Sequence, residues 1–166
     1  MAREVHLTLE MAKEAIGDVV IMLGALADRE RIKGFMGHLV IMDPNLRPGD
    51  CEFENAIFYE DSFRSPQYPW NHDYEKIALA KARESWESGY SSRELMALHP
   101  LLVADGDAPW AGSIVSKCSP DETIIIAFSG LASEDDEWVC WMIEARLFAL
   151  AYKRISGDCL VGGRKV

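Results

Sequence analysis

Residues 109–130 read PWAGSIVSKCSPDETIIIAFSG, and 131–145 continue as LASEDDEWVCWMIEA. Residues 110–117 predict a strand. Cys118-Ser119-Pro120-Asp121 predicts a tight turn, on its Ser-Pro and Asp signals. Residues 123–128 predict a second strand, opened by Thr123 and carried by Ile124, Ile125, Ile126 and Phe128. Consecutive isoleucines need cover on both faces, which makes this strand central. Ser129-Gly130 ends it. Ser133 then reads as a helix cap, with Asp136 completing a capping box. Trp138, Trp141, Met142, Ala145, Ala149 and Tyr152 form one stripe along that helix, and this stripe is expected to cover the sheet.

The same helix is apolar well beyond one stripe. Val139, Ile143 and Leu150 extend it to one side, and Leu147 with Phe148 widens it further. The polar remainder is a narrow strip around Glu137, Cys140, Glu144 and Arg154. Such a helix leaves a patch in water if it covers only its own sheet. Either residues 45–72 fold over the patch, or a second copy of the chain buries it. The second solution makes the protein at least a dimer, with Leu147 in the interface.

Working outward, the chain has 166 residues, and one domain spanning 1–166 is expected. No apolar run approaches the roughly 20 residues of a membrane span. MAREVHLTLE lacks the apolar stretch of a secretory signal, so the expected location is the cytoplasm. A formal net charge of -10 argues against nucleic acid and against an anionic membrane surface. Cys51, Cys118, Cys140 and Cys159 show no paired C-x-x-C spacing and read as free thiols.

Toward the N-terminus, Thr8 reads as an N-cap for a helix carrying Leu9, Ala12, Ile16, Val19, Leu23 and Leu26, to about Asp28. Gly17 and Gly24 share one face of it, as close-packing positions or as tolerated surface glycines. Residues 29–34 form a polar connection. Residues 39–42 predict a short buried strand, 45–50 a loop, and 53–59 the hairpin partner. Residues 65–71, with Pro66 and Pro69, are irregular. Asp73 or Asn71 starts a helix through Tyr74, Ile77, Ala78, Ala82 and Trp86, stopped by Gly89. Ser91 and Glu94 form a capping box for a short helix ended by Pro100. Residues 101–104 predict a further short strand, and Asp105-Gly106-Asp107 a turn. The tail over 156–166 is expected to fray. Hairpins separated by helices give an α+β architecture with an antiparallel sheet, in the order α-β-β-α-α-β-β-α.

Familiar catalytic signatures are missing. Ser129 sits in Phe128-Ser129-Gly130, which is not a G-x-S-x-G elbow, and there is no P-loop or G-x-G-x-x-G. His6, His38, His72 and His99 lie in four separate segments with no H-x-x-x-H pair, so no metal site and no catalytic set is assigned. The acids Asp135, Asp136 and Glu137 read as first-turn residues complementing the helix dipole. Phe58, Tyr59, Trp70, Tyr74, Trp86 and Trp110 either pack the core or line a pocket for a flat ligand. Lys81 is the one charge inside an apolar helical stripe. It either meets an acidic group or snorkels at the core edge.

The succession of short motifs resembles the GlcG/HbpS-like family, which includes the C-terminal domain of PduO-type proteins. The motifs are Leu7-Thr8-Leu9-Glu10-x-Ala12, Leu39-Val40-Ile41-Met42-Asp43, Ile77-Ala78-x-Ala80-Lys81-Ala82, Gly106-Asp107-Ala108-Pro109, and Ile126-Ala127-Phe128-Ser129-Gly130 followed by Asp135-Asp136. The chain departs from the family pattern at Asp107, at Leu131, and in the longer, more aromatic 45–72. The resemblance implies a profilin-like α/β fold with about four or five antiparallel strands flanked by helices, in a homo-oligomer. Some members bind haem. It thus implies a small non-enzymatic protein binding haem or a related tetrapyrrole. Lys81, Pro109, Trp110 and Ser129 are its expected contacts, with His38 or His72 as axial ligand. The alternatives are a ligand-free accessory subunit of a small-acid utilisation pathway, or an enzyme acting on a small hydroxy or keto acid.

Overall fold

In a computed structural model, Thr8 opens the first helix as its spacing predicts. Its Oγ1 accepts the Met11 N–H at 3.3 Å and its carbonyl accepts the Ala12 N–H at 3.0 Å. The structure describes residues 7–27, 36–64, 69–103, 108–118 and 122–161, with side chains through Ala151. The expected connection at 29–34 and the turns at 105–107 and 119–121 lie outside these residues. So do His6, Pro66 and the end of the tail.

Helix α1 is Leu9–Ala27, and it buries Met11, Ala12, Ala15, Ile16, Val19 and Leu23 on one side. A methyl group added at Gly17 or Gly24 would meet nothing within 4 Å, so these are open surface positions rather than close-packing ones. Strand β1 is Gly37–Met42, followed after a loop by β2, Ile57–Phe63. The hairpin partner therefore starts four residues later than 53–59 suggests, because Phe53–Ala56 winds into a single 3-10 turn. Helix α2 is Tyr74–Ser88. Asp73 caps it, accepting the Lys76 N–H, and Gly89 closes it in the left-handed conformation at φ 76°. Helix α3 is Ser92–Leu98 and carries the predicted Ser91/Glu94 capping box. Serine hydrogen bonds to the carboxylate hold Glu94 below its ordinary pKa.

Residues 100–102 form a 3-10 turn, not the expected strand, since Pro100 opens it. Strand β3 is Ser113–Lys117 and β4 is Thr123–Ser129. β3 starts later than 110–117 because Gly112, at φ 135°, lies outside the extended region. Helix α4, Ser133–Val161, continues past Ile155.

The sheet order is β2-β1-β4-β3, antiparallel throughout, so β4 is central as its isoleucines require. Alternation along β4 divides the core into two layers. Ile124, Ile126 and Phe128 pack with Leu39 and Ile41 under α1 and α4. Ile125 and Ala127 pack with Val40, Met42, Ala78, Ala82 and Trp86 under α2. A buried serine cluster ties β3 to the α2–α3 corner. Ser113 Oγ meets Ser85 Oγ at 2.6 Å, accepts the Ser92 N–H at 3.0 Å, and contacts the Ser92 hydroxyl.

Helix α4 turns the opposite face inward from the one expected. Val139, Cys140, Ile143, Leu147 and Leu150 are buried, whereas Trp138 and Trp141 are 41% and 43% exposed. Ala145 and Ala149 lie with them on the outside. Leu147 is a core residue, not an interface residue. Cys140, assigned to the polar strip, is fully buried, and burial pushes its thiol pKa well up. Cys51, Cys118 and Cys140 are free thiols.

Candidate functional site

The start of α4 does not carry a Ser133/Asp136 capping box. The Asp136 N–H bonds to the Ala132 carbonyl at 2.8 Å, which puts Ser133 at the first helical position. The Asp136 side chain turns inward instead. Its Oδ1 accepts the Gly130 and Leu131 N–H groups at 3.1 and 2.8 Å. Its Oδ2 accepts from Lys81 Nζ at 2.9 Å, and both side chains are almost wholly buried. Lys81 therefore does not snorkel. It also donates to the Phe128 carbonyl at 3.2 Å.

Gly112 makes this arrangement possible. A Cβ there would stand 2.5 Å from Lys81 Nζ and 2.7 Å from the Phe128 oxygen. Burial pushes the Asp136 pKa up to about 6, with Lys81 and the two backbone donors opposing the rise. Desolvation wins because a carboxylate loses more hydration there than its partners return.

Beside this pair lies a cavity of about 340 Å³. Tyr74, Ile77 and Lys81 of α2, Ser129 of β4, and residues 131–133 with Asp136 line it. His72 and Trp110 complete it, both of them solvent-exposed. The His72 and Tyr74 rings meet edge-on at 6.0 Å. The Tyr74 hydroxyl donates to Asn71 Oδ1, and desolvation, helped by Asp136, raises its pKa.

Of the six residues named from sequence, Lys81, Trp110, Ser129 and His72 line this cavity. Pro109 is exposed beside Trp110, outside the lining. His38 pairs with Ser129 across β1 and β4 but is not part of the lining either. It is buried, with Nδ1 2.8 Å from Ser62 Oγ. Nε2 stands 3.2 Å from Glu60 Oε1, in ion-pair range but off hydrogen-bond geometry. Burial lowers the His38 pKa, against the pull of Glu60, Glu75 and Asp61.

Sequence reasoning assigns Asp136 and Ser133 to the helix terminus and misses their place in the cavity. One signal points to the acid: a lysine inside an apolar stripe requires a buried partner of opposite sign. Among the described residues, no cluster of three or more His, Cys, Asp or Glu is placed to hold a metal ion. No helix among them is long and apolar enough to cross a membrane.

No protein-family model matches the sequence, and no curated protein matches it. Solved structures do. Klebsiella pneumoniae protein ORFY superposes with a TM-score of 0.59 at 13% identity, over 89% of this chain and 94% of that one. A double mutant of Streptomyces reticuli HbpS gives 0.55 at 16% identity, over 87% and 89%. A PduOC:haem complex gives 0.52 at 13%, over 86% and 95%. Together with the sheet order and the helices on both faces, these similarities show that the chain has the GlcG/HbpS-like fold.

Proposed function

We propose that this chain is a non-enzymatic cytoplasmic protein that binds haem or a related flat tetrapyrrole, and that it works as a homo-oligomer. The observation that carries the ligand reading is convergence. Lys81, Trp110, Ser129 and His72, spread over four segments of the sequence, meet at one cavity. The haem complex among the similar structures supports it.

The residues present fit such a ligand in three respects. His72 offers an exposed imidazole, the usual proximal ligand of haem iron. Trp110, half exposed, offers an aromatic face. Tyr74, Ile77 and Leu131 supply apolar walls. The volume lies at the small end of the range for ligand pockets, about 300–1,000 Å³, so part of a tetrapyrrole ring would stay outside it. Lys81 is committed to Asp136 and does not act as a free counter-ion.

When bound, haem would supply an iron centre. The protein's part is to present His72, shield one edge of the ring and exclude water from the Lys81–Asp136 pair. Haem titration followed at the Soret band tests the reading. A shifted band at micromolar haem is expected, lost in His72→Ala and weakened in Trp110→Ala. An unchanged band in the wild type overturns it.

Self-association is supported by the exposed Trp138 and Trp141 on α4, and free thiols support a reducing compartment.

A further inference from the structure

Around the cavity, several donors are unspent among the described residues. Lys81 Nζ has three N–H bonds, of which one goes to Asp136 and one to the Phe128 carbonyl. The third has no acceptor among the described residues. Ser129 is only 4% exposed and lines the cavity, yet its hydroxyl has no partner among them either. The same holds for the Ser133 hydroxyl. Ala132 stands at the N-cap of α4 and its side chain cannot cap, so the N–H groups of Ser133, Glu134 and Asp135 lack intrahelical acceptors. Asp136 does not relieve them, because its second oxygen is spent on Gly130 and Leu131.

A cavity rimmed by spare donors at the positive end of a 29-residue helix is matched by a planar anion. We propose that it seats the carboxylate of a small monoanionic organic acid between Lys81 Nζ, Ser129 Oγ and the N-terminus of α4, with the flat body of the acid against Tyr74, Ile77 and Trp110. A single charge is favoured. Asp136 already balances Lys81, and Glu134 and Asp135 on the same turn repel a second negative charge. The cavity volume of about 340 Å³ restricts the acid to roughly a single ring. The inference rests on the cavity being a ligand site, not on the ligand being a tetrapyrrole, although a haem propionate offers the same group.

Benzoate and its neutral isostere benzamide are the probes, with isothermal titration calorimetry as the readout. Benzoate should bind at least about tenfold more tightly than benzamide, the difference one charge-assisted hydrogen bond confers. Ser129→Ala should weaken benzoate about fivefold to tenfold without lowering Tm, since its hydroxyl holds no structural partner. Equal affinity for the two probes, an indifferent Ser129→Ala, or no heat from benzoate at ~10 mM overturns the proposal. Haem and its dimethyl ester separate this inference from the tetrapyrrole reading. If both porphyrins bind alike and Ser129→Ala changes neither, the carboxylate seat is wrong and the tetrapyrrole reading stands. If benzoate binds and haem gives no Soret shift, the carboxylate seat stands and the tetrapyrrole reading falls.

Discussion

Lys81 and Asp136, 55 residues apart in the chain, form an ion pair of 2.9 Å whose side chains are 1% and 3% exposed. Each carries the other's desolvation, and three further hydrogen bonds, to Phe128, Gly130 and Leu131, support the pair. Removing one partner strands a buried charge. Asp136→Ala is therefore expected to cost about 3–5 kcal/mol in urea unfolding. The double variant Lys81→Met/Asp136→Leu should recover much of that loss. A single variant within about 1 kcal/mol of wild type would contradict the burial of the pair.

The pH dependence follows from the raised pKa of Asp136, about 6 against an ordinary 3.8. The folded chain holds this proton more tightly than the unfolded chain. The contribution is full below pH 3.8 and is lost as pH rises through about 6. Carboxyl-detected NMR should show one aspartate titrating near 6, moving higher still in Lys81→Met. Asp136→Asn cannot titrate there, so the stability gap between it and wild type should narrow from pH 5 to pH 7.5. A midpoint near 4 would show that Lys81 outweighs desolvation.

Gly112 is the position where backbone and pair meet. Its φ of 135° suits no L side chain, and a methyl group there would stand 2.5 Å from Lys81 Nζ. Gly112→Ala should lose about 2 kcal/mol or more from strain alone, seen as a lowered Tm. The same variant should shift the Asp136 titration, because the ammonium must move. An unshifted titration would place Lys81 clear of this glycine.

On α4, the outward tryptophans and the inward leucine give opposite expectations. Trp138→Glu/Trp141→Glu should break self-association and leave Tm near wild type. Leu147→Glu, at a site 1% exposed, should unfold the domain at a cost of about 4 kcal/mol or more. Sedimentation velocity separates the states. A wild-type protein running as a single 18.6 kDa species would remove the homo-oligomer from the proposal.

Local rules determined much of this protein before any tertiary information. The caps at Thr8, Asp73 and Ser91 and the stop at Gly89 all lie within a few residues of the groups they satisfy, so the sequence displays both partners together. The central place of β4 is equally legible, because Ile124, Ile125 and Ile126 alternate and both faces must be dry. Lys81, Trp110, Ser129 and His72 can be named as candidates from their residue types and the family pattern.

Their relation to one another cannot be read that way. The sequence misleads about the inward face of α4 because the helix is apolar on nearly all sides. Periodicity then has no single maximum, and only the shape of the sheet selects Val139, Ile143 and Leu147 over Trp138 and Trp141. Asp136 satisfies a local explanation at the helix start, so nothing near it in the chain asks for a distant one. Helix α2 packs on β4, so Lys81 reaches the end of that strand at the β4–α4 junction, and there the lysine and the acid meet. A buried charge is stable only beside its counter-charge, and that partner is chosen by the packing of elements remote in the chain.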